Sequence, residues 1–111
     1  MKEELTIQEV AACTGLSVHT LRYYERVGLL EPVGRASSGH RRYTADDLAW
    51  ITFLKCLRAT GMSIQQMQVF ANLRRQGDAT VSERLVFLEA HQQEVREHLN
   101  ELEGYLTVIE R

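Results

Sequence analysis

Between residues 80 and 110 apolar side chains recur at Val81, Leu85, Leu88, Val95, Leu99, Leu102, Leu106 and Ile109. With Gln92 in the same register they step alternately by 4 and 3. A heptad seam sustained this long belongs to an α-helix that faces a second helix. At 1.5 Å per residue the helix would span about 46 Å, further than the rest of so small a domain can cover. A second copy of the chain is the expected partner, so Leu85, Leu88, Gln92, Val95, Leu99, Leu102, Leu106 and Ile109 are the candidate dimerisation residues. The alternative is that the seam packs on the chain's own helices. A lone polar seam position such as Gln92 commonly fixes alignment at some cost in stability.

The other helices are marked by their ends. An N-cap hydroxyl followed three residues later by Glu or Gln satisfies orphan backbone donors from both sides. Thr6 with Glu9, Ser63 with Gln66 and Thr80 with Glu83 fit that box. Thr44 with Asp47 is a weaker version whose carboxylate is short for the reach, and Ser17 is a plain N-cap. Gly15, Gly28, Gly61 and Gly77 follow helical patterns, as C-terminal glycines do. Five helices result, at 6–14, 17–27, 44–60, 63–76 and 80–110. The stretch "LLEPVGRASSGHRRYT" refuses helix; Leu30 to Val33 and His40 to Tyr43 around Gly39 fit a small hairpin. The expected architecture is mainly α. Residues 1–76 hold a helix-turn-helix, its hairpin wing and two connector helices, and 80–111 form the dimerisation helix.

Charge matters here through its placement. The whole chain carries −2, which by itself gives no sign of a nucleic-acid partner. Yet residues 17–43 hold five arginines against Glu25 and Glu31, while residues 80–111 hold three against seven glutamates. No apolar run approaches a signal sequence or a membrane span. Cys13 and Cys56 lie far apart without metal-ligand or disulfide spacing. A reduced, cytoplasmic setting with no membrane contact, no metal and no cofactor is expected.

At about 100° per residue, His19, Arg22, Tyr23 and Arg26 share one arc of the second helix, whereas Leu21 and Tyr24 point the other way. An arginine-bearing face on a short helix suits the major groove, where guanidinium forks onto guanine. The helix before it, with Ile7, Val10 and Ala11 for packing, and the Gly15–Leu16 link complete a helix-turn-helix layout. Arg35, Arg41 and Arg42 with Ser37, Ser38 and His40 make the hairpin a candidate phosphate-gripping wing. The competing readings are a solvated surface helix and a polar surface turn.

The run "TLRYYERVGLLEP", then "GHRRYT", then a helix opening "DDL", resembles the N-terminal signature of the MerR family of transcription regulators. The resemblance extends over essentially all 111 residues. It implies a winged helix-turn-helix homodimer whose long helices pair as an antiparallel coiled coil. Such a dimer binds a palindromic operator in double-stranded promoter DNA and distorts the spacer so that RNA polymerase meets both promoter elements in phase. Carried over residue by residue, His19 and Arg22 fall at base-reading positions with Thr20 beside them, and Tyr23 and Tyr24 at paired aromatic positions of which one or both touch the backbone, Tyr24 also packing inward. Arg35 and Arg41 match the wing's phosphate-binding arginines and Tyr43 the tyrosine that closes the wing. His40 departs from the aromatic of many relatives, and Arg26 rests on the helical wheel alone.

Metal-sensing relatives place cysteines near the start of the long helix, and Thr80 to Leu88 has none. What remains is Cys56 in "FLKCLRATGMSI", which resembles the aldehyde- and thiol-stress-responsive (NmlR/AdhR-like) branch and makes Cys56 the candidate effector-sensing residue. On the wheel it joins Ala49 and Thr52 on a small-residue strip, with Lys55 and Arg58 near enough to favour a thiolate. A free cysteine is otherwise usually a small buried hydrophobe, the reading given to Cys13. His91 and His98 read as solvated surface, and Met62, Met67, Val69 and Phe70 as core. No nucleophile–base pair or phosphate-cradling loop stands out, so no catalysis is expected. An excisionase-like DNA-bending protein and a coiled-coil adaptor without specific DNA binding are the alternatives.

Overall fold

The computed structural model describes residues 4–31 and 42–111. Five helices follow in order: α1 Ile7–Thr14, α2 Val18–Arg26, α3 Ala45–Ala59, α4 Ile64–Arg75 and α5 Val81–Ile109, with a 3-10 turn at Gly77–Thr80 before the last. α1 packs against α2 and α3, α3 against α4, and α4 against α5. Pro32 to Arg41, with most of the expected hairpin, lie outside the described residues. At its near end Tyr43 exchanges both backbone hydrogen bonds with Leu5, at 2.7 and 2.8 Å, in an antiparallel bridge that ties the N-terminal segment to the start of α3.

Caps decide where the helices begin. The boxes at Thr6 and Ser63 form as expected, and so does the one at Thr44: the Thr44 amide donates to Asp47 Oδ2 at 2.9 Å. The short carboxylate reaches after all. The box at Thr80 does not form. Its side chain is buried and donates to the carbonyls of Leu73 and Gly77, because the 3-10 turn puts those acceptors closer than the α5 amides.

Val10, Leu21, Leu29, Tyr43, Ile51, Leu54, Met62 and Met67 are fully buried and form the centre of one core. Trp50, Phe53 and Phe70 join it as an aromatic group, and Phe87 of α5 reaches Phe70 at 5.8 Å between centroids. Val69, expected in the core, is half exposed. Leu88 and Phe87 pack against this core, so the start of α5 leans on its own chain. Beyond Val95 the seam is open to solvent: Leu99 and Leu102, which border a groove at the end of α3, are about half exposed, and Leu106 and Ile109 are exposed further out. An isolated helix end with such a stripe is marginal in water unless another surface covers it.

Candidate nucleic-acid interface

The turn between α1 and α2 is built from local chemistry. Thr14 Oγ1 donates to the Val10 carbonyl at 2.8 Å and accepts from the Leu16 amide at 3.2 Å. Gly15 takes φ +77°, a left-handed conformation natural only to glycine. Lys55 Nζ donates to the Thr14 carbonyl, capping the end of α1 with a cation. Ser17 then accepts from the Thr20 amide at 3.0 Å and starts α2.

On α2 the two faces separate. Leu21 and Tyr24 are buried, whereas His19, Arg22 and Arg26 are exposed and Thr20 and Tyr23 half-buried. The Arg26 guanidinium lies 5.6 Å from the Tyr23 ring centroid, so the two share one patch. Thr20 Oγ1 also accepts from Ser17 Oγ at 3.0 Å. Two of the candidate DNA-contact residues are buried: Tyr24, as its place on the helical wheel implies, is 4% exposed, and Tyr43 0%. Both side chains belong to the core beneath α2. Burial pushes the Tyr24 phenol above its ordinary 10.0, with the Arg58 guanidinium opposing the shift. Arg35 and Arg41 lie outside the described residues; Arg42 is exposed and pairs with Glu4 at 2.9 Å.

Sequence reasoning missed the groups that hold the end of α2. Gln68 Nε2 donates to the Val27 carbonyl at 2.9 Å, Arg75 to the Gly28 carbonyl, and Trp50 Nε1 to the Leu29 carbonyl at 2.8 Å. The one available signal was Trp50, since a buried indole needs an acceptor.

Cys56 and Cys13 are both exposed, against the expectation that Cys13 is buried packing. Cys56 lines a groove of about 480 Å³ between α3 and α5, with Phe53, Leu57, Leu88, His91 and Val95 among its walls. The cations expected to favour its thiolate are engaged elsewhere: Lys55 at Thr14 and Arg58 at the Met62 carbonyl, 3.5 Å away. His91 is half-buried rather than solvated. Because the Thr60 hydroxyl donates to the Cys56 carbonyl at 2.8 Å, it accepts from His91 Nε2, also at 2.8 Å. Among the described residues no group of three or more His, Cys, Asp or Glu is placed to hold a metal ion, and no helix is long and apolar enough to cross a membrane.

The chain matches the pattern of MerR HTH family regulatory proteins over residues 5–72 and the MerR DNA-binding pattern over residues 48–110. It is 41% identical over 105 residues to an uncharacterised HTH-type transcriptional regulator of Haemophilus influenzae, covering 95% of this chain and 78% of that one. It is 44% identical over 93 residues to the HTH-type transcriptional regulator AdhR of Bacillus subtilis, covering 84% of this chain and 66% of that one. The crystal structure of HiNmlR, a MerR family regulator lacking the sensor domain, bound to promoter DNA, superposes with a TM-score of 0.89 at 40% identity. That match covers 96% of this chain and 85% of the other. With its helix-turn-helix, its arginine-bearing α2 and these likenesses, the chain belongs to the MerR family and is a DNA-binding transcription regulator of that type.

Proposed function

We propose that two copies of this regulator pair through antiparallel α5 helices and set their α2 helices into a palindromic promoter operator. Residues 1–76 are then the DNA-binding part and residues 80–111 the dimerisation helix. His19, Thr20 and Arg22 read base edges; Tyr23 and Arg26 hold the flank, and Arg35 and Arg41 of the wing grip phosphates. The observation that carries this reading is the division of α2 into a buried Leu21–Tyr24 face and an exposed His19–Arg22–Arg26 face. The promoter-bound state of the HiNmlR crystal structure supports it.

In this reading Val95 lies near the two-fold axis, and Leu88 meets Leu102 and Val81 meets Ile109 of the second copy. With 29 residues α5 runs about 43 Å, enough to hold two recognition helices about one DNA turn, 34–36 Å, apart. Bound in this way the dimer bends and untwists the spacer for RNA polymerase in the cytoplasm, acting by binding rather than by catalysis. Cys56, exposed in its groove beside α5, is where an aldehyde or other electrophile would act, since an adduct there would press on the dimerisation helix.

Gel shifts on a palindromic duplex at rising salt test the DNA reading. Sequence-selective binding with a steep salt slope is expected. Binding without sequence preference favours an architectural DNA bender, and no binding favours a coiled-coil adaptor. Footprinting with and without formaldehyde, on wild type and Cys56→Ser, tests the sensor: an equal response in both removes Cys56 from the mechanism.

A further inference from the structure

We propose that Gln68, Arg75 and Trp50 are positioning residues of the DNA contact, fixing the exit of the recognition helix relative to the dimerisation helix. The proposal rests on the DNA-binding reading above and names the link through which α5 acts on α2.

A helix leaves its last carbonyls without partners, and these must find donors elsewhere. At the end of α2 the Tyr24 carbonyl accepts from the amides of Leu29 and Leu30, at 2.9 and 3.2 Å, which folds the chain back on itself. Gly28 makes that reversal possible with φ +84°. The three consecutive carbonyls of Val27, Gly28 and Leu29 are taken one each by Gln68, Arg75 and Trp50. Three side chains from α3 and α4 thus hold three consecutive peptide units between α2 and the wing segment.

The donors are themselves fixed. Arg75 donates from Nη1 to Asn72 Oδ1 at 2.7 Å and pairs through Nε with Glu31 at 3.4 Å, so its guanidinium bridges α4 and the chain leading to the wing. The Trp50 indole stacks on Phe70 at 6.0 Å between centroids and carries the Arg74 guanidinium 4.2 Å from its own centroid. Phe70 in turn meets Phe87 of α5. The C-terminal end of α4 is tied to α5 through the 3-10 turn as well, by the Thr80 hydroxyl on the Leu73 carbonyl and by Arg84 Nη2 of α5 on the Gly77 carbonyl at 2.9 Å. A continuous path therefore runs from α5 through α4 to the turn after α2.

Its character differs from helix packing. Among the helices α2 comes closest to α1; it shares the common core with α4, and what ties its exit to α4 in particular are these directional bonds. A hydrogen bond weakens steeply once stretched or bent, so a displacement of α4 by about an ångström either carries the turn along or releases it. Discrete alternatives of that kind are what a two-state regulator needs.

The test uses the full chain. Wild-type protein selects palindromic duplexes from a random pool. The selected duplex, and versions with the half-sites moved by one base pair in either direction, are then titrated with wild type, Gln68→Met, Trp50→Phe, Arg75→Met and Arg75→Lys. Dimer mass and melting temperature are followed in parallel. Wild type should prefer the selected spacing. Gln68→Met and Arg75→Met should lose about two- to tenfold of that preference, the weight of one net hydrogen bond, while binding to an isolated half-site stays unchanged. Arg75→Lys, which keeps a donor, should retain most of it. A uniform loss on every spacing would mean that these residues only support the fold, and an unchanged preference would remove the link; either overturns the proposal. Should Trp50→Phe fail to fold, the α4 variants decide. If wild type selects no palindrome, the DNA reading falls first and this inference with it; if it selects one and the variants keep its spacing preference, only this inference falls.

Discussion

Leu102→Ala is the sharpest trial of the free half of α5. In the single chain Leu102 is 49% exposed, and its seam neighbours Leu99 and Leu106 are 52% and 53% exposed. Burying a whole leucine side chain is worth about 1.5–3 kcal/mol, so covering the remaining half contributes about 0.75–1.5 kcal/mol in each copy. A symmetric dimer carries the substitution twice. The loss is then about 1.5–3 kcal/mol, and at 1.4 kcal/mol per decade the dissociation constant should rise about 12- to 140-fold. Val86 serves as the control: it is 67% exposed yet lies on the opposite side of α5 from the seam, so Val86→Ala should leave the dimer unchanged. Sedimentation equilibrium of both variants over a range of concentrations gives the two constants directly. Equal weakening by both, or by neither, would show that the heptad seam is not the surface that pairs.

Other outcomes follow from the site. Arg22→Ala should weaken specific binding by about 5- to 150-fold per half-site, the worth of a lost guanine fork, and flatten discrimination among operators in a gel shift. Gly15→Ala places a Cβ at φ +77° and 3.1 Å from Lys55 Nζ; it should cost about 1–2 kcal/mol in denaturant melts. The Tyr24 phenol is raised above 10.0 by burial, so the neutral form is favoured in the fold. Its contribution is therefore complete below pH 10 and is lost as pH rises through the folded value. Tyr24→Phe should accordingly blunt alkaline unfolding in a melting series above pH 10.

Local chemistry was the most legible part of the sequence. The four glycine stops all take positive φ, and three of the four capping boxes form with both bonds present. Helical spacing separated Leu21 and Tyr24 from His19, Arg22 and Arg26 correctly, because burial on so short a helix follows its period. What failed depended on tertiary neighbours. Thr80 found acceptors in Leu73 and Gly77 that only the 3-10 turn brings near, and Tyr43 is drawn inward by its bridge to Leu5. The grip of Gln68 and Arg75 on carbonyls 41 and 47 residues away leaves no periodic trace at all. Lys55 looked like a neighbour for Cys56 by sequence, yet the open carbonyl of Thr14 offered its ammonium a better partner.

The segregation of charge gives the two halves of the mechanism opposite responses to salt. Residues 17–43 carry five arginines against two glutamates, whereas residues 80–111 carry seven glutamates against three arginines. Pairing two acidic helices brings like charge together, and added salt screens that repulsion, so dimerisation should hold or strengthen as ionic strength rises. DNA binding releases counterions and must weaken, with a slope of about 0.9 for each phosphate neutralised. Measured on one sample, dimer and operator affinities should therefore diverge between about 50 and 200 mM salt. If both fell together, the DNA would be helping to assemble the dimer and the α5 seam would not be enough to hold two copies in solution.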